Sequence, residues 1–277
     1  MELREYAFSI LTARSLEGKL LPPVDLTDVE PGLPLRLSSP ERPPELAFST
    51  RRTKMPRPAA LTEPHRRAIS LHRFANHELM ALEIMAWVLL AFPDAPPSFR
   101  RGVVQILAEE QLHLGLYLQR LKEHGMAFGD LPVNDYFWDK LPAWETVLHY
   151  LSGMCLTFEA ANLDFALDYV GHFRAVGDEA TAKVLERVHT DELRHVRFGV
   201  QWLRRLKDPA HSDWKTYTDH LAFPLHPARS RGAIYHRDQR VLVGLDEDFL
   251  RELDHLPTAG ETMHPRGPIL LRLGGNP

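Results

Sequence analysis

Four long stretches of helix-period apolar residues, spaced short, long, short along the chain, limit its fold more than any other feature. The first opens with Thr62 as a cap and Pro64 in its first turn, and runs to Pro93. The second covers about residues 98–124 and stops at Gly125; the third covers about 142–175 and stops near Gly177; the fourth starts at Asp178 and ends near Leu206. A few residues join the first to the second and the third to the fourth, whereas about 17 (GMAFGDLPVNDYFWDKLP) separate the second from the third. Short links make antiparallel neighbours and a long one crosses over. The rhythm predicts an all-α chain built on a four-helix bundle with one long crossover.

Proline marks where that bundle ends. Ten of the 22 prolines fall in residues 1–64 and seven after residue 207, so the middle is proline-poor. The chain divides accordingly into an N-terminal helix and proline-rich arm (1–61), the bundle (62–207) and a C-terminal extension packing on the bundle (208–277). The stretch LLPPVDLTDVEPGLPLRL admits two readings, a partly disordered tail or an arm wrapped over the bundle. After residue 207, His- and Pro-rich loops carry one short helix, LDEDFLRELDHL, capped by Asp246.

Composition narrows the chemistry. A formal charge of −4 gives no overall basic field for nucleic acid or anionic lipid. No apolar run reads as a bilayer span, and MELREYAFSI lacks the pattern of a secretory leader. A soluble, cytoplasmic protein with no membrane or nucleic-acid partner is expected. Cys155 is the single cysteine, which excludes an internal disulfide and any Cys-rich zinc, rubredoxin or iron–sulfur module within the chain. A metal site must use His and carboxylates.

Glu-x-x-His occurs five times, from Glu110, Glu186, Glu192, Glu252 and Glu261, where chance gives about one. Helical phase, counted at about 100° per residue, sorts them. On the fourth helix Glu192 centres an apolar face of Leu185, Val188, Val196, Gly199 and Leu203, with His195 on its flank. On the second, Glu110 lies among Val103, Ile106, Leu114, Tyr117 and Leu121, with His113 on its flank, while Glu109 is about 100° off that axis. Glu186 lies about 120° from Glu192, which demotes the Glu186/His189 pair to surface, and the pairs at Glu252 and Glu261 have no matching partner. The first and third helices each carry one inward glutamate. Glu78 sits among Leu71, Phe74, Leu82 and Met85, with Glu83 pointing some 140° away; Glu159 sits with Ser152, Cys155, Leu163, Ala166 and Val170, and Asn162 takes the place that His holds elsewhere.

Height along the bundle agrees. Glu78 to Glu110 is 32 residues and Glu159 to Glu192 is 33, so antiparallel packing brings four glutamates and two histidines to one layer. Four buried carboxylates repel one another and lose their hydration, so positive charge must sit among them. Two metal ions supply it: the ligand set is a Glu from each of two helices and Glu-x-x-His from each of the others. Iron is the first choice and manganese the second. The alternative is a set of buried polar groups satisfied by one another or by Arg and Lys.

The segments HRFANHELMALEIMAWVLLAFPD, EEQLHLGLYLQRL, FGDLPVNDYFW, TFEAANLDFALDY and DELRHVRFG resemble the ferritin-like diiron superfamily, and more closely the bacterial family catalogued as domain of unknown function 455. The likeness covers about residues 63–206, and FPLHPARSRG (223–232) is similar to that family's later proline and basic segment. It implies a ferritin-like bundle with Glu78, Glu110, His113, Glu159, Glu192 and His195 as ligands to two irons. Such a pair binds O₂ and attacks C–H bonds, so an O₂-dependent oxygenase or oxidase of a small organic substrate, served by an external electron donor, is expected. The other readings are a ferroxidase, iron-handling or peroxide-reducing protein, and a non-catalytic helical scaffold. A homodimer is compatible with either catalytic reading.

Asp191, or an acid from a neighbouring helix, is expected to accept the outer N–H of a ligand histidine. Tyr117 is the candidate to hydrogen-bond a ligand or carry a radical, although an inward Tyr is also ordinary core packing, and Cys155 reads as a small core residue. Small residues near the layer (Ala81, Gly115, Ser152, Cys155, Ala166, Gly199) leave room for a substrate or simply let helices approach. Arg51, Arg52, Lys54, Arg57, Arg229 and Arg231 would suit an anionic substrate group, or are solvated loop charges.

Overall fold

The structure is a computed structural model that describes residues 1–51 and 53–257; Arg52 and the Glu261/His264 pair lie outside the described residues. The helices in chain order are α1 (Leu3–Thr12), α2 (Leu16–Lys19), α3 (Pro64–Ala91), α4 (Pro97–Glu123), α5 (Val147–Tyr150), α6 (Ala160–Ala175), α7 (Glu179–Leu206), α8 (Asp213–Asp219), α9 (Arg237–Leu242) and α10 (Glu247–Asp254). A π-helical segment, Leu151–Glu159, runs from α5 into α6. Among the described residues there is no β-strand, and the protein is all-helical.

Local chemistry sets the helix ends. Pro64 and Pro97 occupy first-turn positions of α3 and α4, where the missing N–H costs nothing. The cap of α3 is Glu63 and not Thr62, because Thr62 is the last residue of a 3₁₀ turn, Pro58–Thr62. Asp178 caps α7 by accepting from the Thr181 N–H at 3.1 Å. Gly125 and Gly177 end their helices with φ of 72° and 76°, a left-handed turn that glycine adopts without strain.

The third long helix departs from expectation. It starts at Val147 rather than near 142, because a 3₁₀ turn holding Pro142 occupies Trp138–Ala143. Its first turns then widen into the π-helical segment that ends on Glu159. Beyond residue 207 the described residues hold three short α-helices where one was expected; α8 and α9 have only seven and six residues, too few to show a period.

α3 pairs with α4 and α6 with α7, and α7 meets both α4 and the π-helical segment, so the two hairpins close on each other. α1 lies on α3. Contrary to the sequence expectation, α3 is long and apolar enough to cross a membrane by those two criteria alone; 94% of its most apolar window is buried in the fold, which accounts for that composition.

Of the two readings of the arm, the structure takes the wrapped one. The Leu35 N–H donates to the Leu90 carbonyl at 2.9 Å, the Trp87 indole to Leu37 at 3.1 Å and the Trp138 indole to Ser38 at 2.9 Å. Arg42 and Lys19 converge on Glu83, with Lys19 Nζ at 3.0 Å from its carboxylate and all three side chains buried. Glu83 is therefore the centre of a buried ion triad under the arm. On the other side, Asp164 of α6 accepts from the backbone N–H groups of Gly232 (2.7 Å) and His236 (2.8 Å) and pairs with the buried Arg240, which fixes residues 232–240 against α6.

Candidate metal centre

The phase argument placed six side chains in one layer, and the structure brings them together. Glu78 comes from α3, Glu110 and His113 from α4, Glu159 from the end of the π-helical segment, and Glu192 and His195 from α7. None is more than 5% exposed. Donor atoms of Glu78, Glu110, His113 and Glu192 lie within 4.8 Å of one another, as do those of Glu110, Glu159 and His195. Glu110 belongs to both groups.

Both imidazoles turn Nδ1 inward. His113 Nδ1 is 3.6 Å from a carboxylate oxygen of Glu78 and 3.6 Å from one of Glu110; His195 Nδ1 is 3.0 Å from Glu110 and 3.6 Å from Glu192. The outer nitrogens are held crosswise. His113 Nε2 meets Asp191 of α7 at 3.0 Å, and His195 Nε2 meets Glu109 of α4 at 2.8 Å. Arg194 donates to both acceptors, Glu109 at 2.7 Å and Asp191 at 2.6 Å, and Arg187 adds a bond to Asp191 at 2.8 Å. A carboxylate on the outer nitrogen puts the proton there and leaves the inner nitrogen's lone pair for a cation. Asn162 does not point to a donor position; its amide donates to Glu192 at 2.7 Å and fixes that carboxylate.

Electrostatics show how much negative charge the layer holds. Burial, then the neighbouring Glu110, push the Glu78 carboxyl well above the usual range, and burial raises Glu159 to about 8. Glu110 goes the other way: burial opposes its charge, but the adjacent Glu78 carboxyl and the His113 and His195 imidazoles hold it low. Burial disfavours charge on both histidines, yet Asp191 and Glu110 draw His113 well above its ordinary value, and Glu109 and Glu110 do the same to His195. The layer thus sets carboxyl groups pushed toward their neutral form beside imidazoles pushed toward their charged one.

Hydrogen bonds do not satisfy the layer. Glu110 Oε2, His113 Nδ1, both oxygens of Glu159, Glu192 Oε2 and His195 Nδ1 are buried with no hydrogen-bond partner among the described residues. At about 1–3 kcal/mol for each orphaned polar atom, the penalty approaches the roughly 5–15 kcal/mol of a whole domain's stability. Of the other possible neutralisers, Arg187 and Arg194 pair instead with the outer acids Glu109 and Asp191. A pair of cations among these atoms would remove the penalty, and the oxygen-rich donor set with one imidazole per side could hold metal.

The centre forms one wall of a cavity of about 480 Å³, within the range of small-molecule sites. Glu78, Glu110, Glu159 and Glu192 line it, together with Tyr117, Phe137, Phe158 and residues of the arm, the crossover and the C-terminal segment. Tyr117 is buried, packs on Phe74 with ring centres 5.5 Å apart, and makes no hydrogen bond to a ligand carboxylate among the described residues. Burial, then the charge on Glu78, keep its phenol protonated. Burial, then the charge on Glu159, likewise keep Cys155 a thiol, and it joins neither donor group.

Other sequence candidates fall elsewhere. Glu186 pairs with Arg174 at 2.7 Å on the surface, whereas its partner His189 is buried away from the centre. Lys54, Arg229 and Arg231 line the cavity, Arg51 and Arg57 do not, and Arg73 and His77 of α3 line it without having been singled out. Arg73 donates to the Thr53 carbonyl, a contact set by how the arm wraps. His77, one residue before Glu78, lies about 100° off its axis, the offset that also set Glu109 aside, so the phase count passes it over.

Fold and site define an all-helical protein with a buried carboxylate–imidazole centre opening on a cavity. A protein-family model described as "Protein of unknown function (DUF455)" matches residues 10–251, and the chain belongs to that family. No curated protein and no solved structure matches it.

Proposed function

We propose that this chain is a non-haem, carboxylate-bridged diiron protein of the ferritin-like superfamily, a four-helix bundle with one long crossover, and that it is an O₂-dependent oxygenase or oxidase of an organic substrate. One observation carries the reading: six orphaned donor atoms share one buried cluster whose glutamates line a substrate-sized cavity. Glu78, Glu110, His113, Glu159, Glu192 and His195 would hold the metals, with Glu110 serving both groups. Bound there, an iron pair supplies O₂ activation and the oxidation of C–H bonds; manganese suits the same donors.

The chain's own residues prepare and protect that chemistry. Asp191 and Glu109 hold the protons of His113 and His195 on Nε2, away from the centre. Asn162 orients Glu192, and the stacked rings of Phe137 and Phe158, 4.3 Å apart, give the cavity an apolar wall. Tyr117 keeps its proton beside Glu78, so its hydroxyl can donate a hydrogen bond to a bound molecule.

Ferroxidase or peroxide-reducing activity is the competing reading, and the cavity favours the organic substrate, since iron handling needs no substrate-sized chamber. The test is to load purified protein with ferrous iron, add O₂ and a chemical reductant, and screen organic fractions for product. An oxidised organic product that disappears in Glu110→Ala supports the proposal. Iron oxidation with no organic turnover would support the competitor.

A further inference from the structure

Rings gather on the cavity walls in two groups. In one, Phe74 of α3 meets Tyr117 of α4 at 5.5 Å and Tyr169 of α6 at 5.1 Å between ring centres, the second pair edge to face. In the other, Phe137 of the crossover stacks on Phe158 at 4.3 Å and lies 5.1 Å from the imidazole of His77 on α3. All six line the one cavity. Phe74 and His77 are three residues apart on α3 and so neighbours on its surface, which joins the two groups across that helix.

Core packing alone does not account for these rings. Phe99 and Phe173, rings of the ordinary core, are fully buried, whereas Phe74, Phe137, Phe158 and Tyr169 are only half-buried and border the cavity. Large apolar rings left partly uncovered forgo the stabilisation that burial gives, and a bound molecule restores it. The faces and edges of such rings carry opposite partial charges, so they favour another flat ring over a saturated body of the same size. The rings also adjoin the candidate centre along the chain: Phe74 is one turn before Glu78, and Phe158 immediately precedes Glu159.

We propose that the molecule this cavity takes is aromatic: a flat ring system held by ring-to-ring contact with Phe74, Phe137, Phe158 and Tyr169, beside the candidate metal centre whose glutamates line the same cavity. The inference rests on the oxygenase reading for calling that molecule a substrate, but not for the binding itself.

Titration calorimetry at about pH 7 tests it with pairs that keep one hydroxyl and differ only in the ring: phenol and cyclohexanol, β-naphthol and its decahydro form, para-phenylphenol and its fully saturated form. Both members of each pair are uncharged, so the basic residues on the same walls do not enter the comparison. The titrations use protein as purified and the same protein after chelation of metal, each checked for folding by circular dichroism. In at least one pair the aromatic member is expected to bind about fivefold or more tightly than the saturated one in both preparations. Phe74→Leu and Phe137→Leu, on separate elements, remove a ring and keep an apolar side chain; each should cut that preference by about threefold and leave affinity for the saturated member within about twofold. Binding by no pair, equal affinity within every pair, an equal loss of both members in the two variants, or a preference that chelation abolishes while the fold persists would each overturn the proposal. Aromatic binding without any oxidised product would uphold it and count against the oxygenase reading, so the two fail separately.

Discussion

Asp191 and Glu109 each precede a candidate ligand in sequence, yet each serves the histidine of the opposite helix, so two adjacent acids on α7 do different jobs. Removing the acceptor while keeping the shape should loosen the grip on metal without unfolding the chain. Asp191→Asn is predicted to weaken metal affinity by about 10–100-fold, read by chelator competition, with unchanged helical circular dichroism. An unaltered affinity would mean that the bond to His113 does not orient a ligand. Glu83 is the opposite case, a buried acid with no part in the centre. Glu83→Ala strands Lys19 and Arg42 without their counter-charge and is predicted to cost about 3–5 kcal/mol in urea unfolding while leaving metal content unchanged. A loss well below 1 kcal/mol would show that the triad does not secure the arm.

Between elements, the spacing of α7 from the π-helical segment controls how Glu192 approaches Glu159. Gly199 allows that spacing: a Cβ there would collide with the side chain of Cys155, one turn before Glu159. Gly199→Ala should therefore destabilise the fold by about 1–3 kcal/mol and reduce the metal bound per chain. Full occupancy in a stable variant would contradict the link. At the start of α7, Asp178 caps the helix, pairs with Arg120 at 2.9 Å and meets His124 at 3.1 Å. Burial opposes its charge, but the Thr181 bonds and Arg120 outweigh that and hold its carboxyl below the ordinary value. Because the folded value is the lower one, this stabilisation is complete above the unfolded pKa of about 3.9 and is lost as pH falls through the folded value. The gap in urea midpoint between wild type and Asp178→Ala should be constant from about pH 7 to 5 and close below about pH 4. A gap that widened on acidification would reverse the assignment.

Across the whole molecule, what could be read from sequence was what repeats locally. Glu110/His113 and Glu192/His195 stood out because a three-residue offset and an apolar period put them on one helix face, and Glu78 and Glu159 followed from height. The burial of Glu83 could not be read, because a helical wheel assumes a wet back face and α3 has none once α1 and the arm cover it. The role of Arg73 was hidden for a related reason: its place in the cavity depends on an arm that wraps back over some 20 residues. The π-helical segment left no mark in the apolar pattern, and Glu159 was still found because it sits where that segment hands over to α6.

The central claim is that cations hold this layer of carboxylates together, and metal analysis of purified protein tests it most directly. About two metal ions per chain are expected, with the absorbance of an oxo-bridged ferric pair after exposure to air, and both should be lost from Glu110→Ala. Wild-type protein that is folded, metal-free and unable to take up ferrous iron or manganese would contradict it.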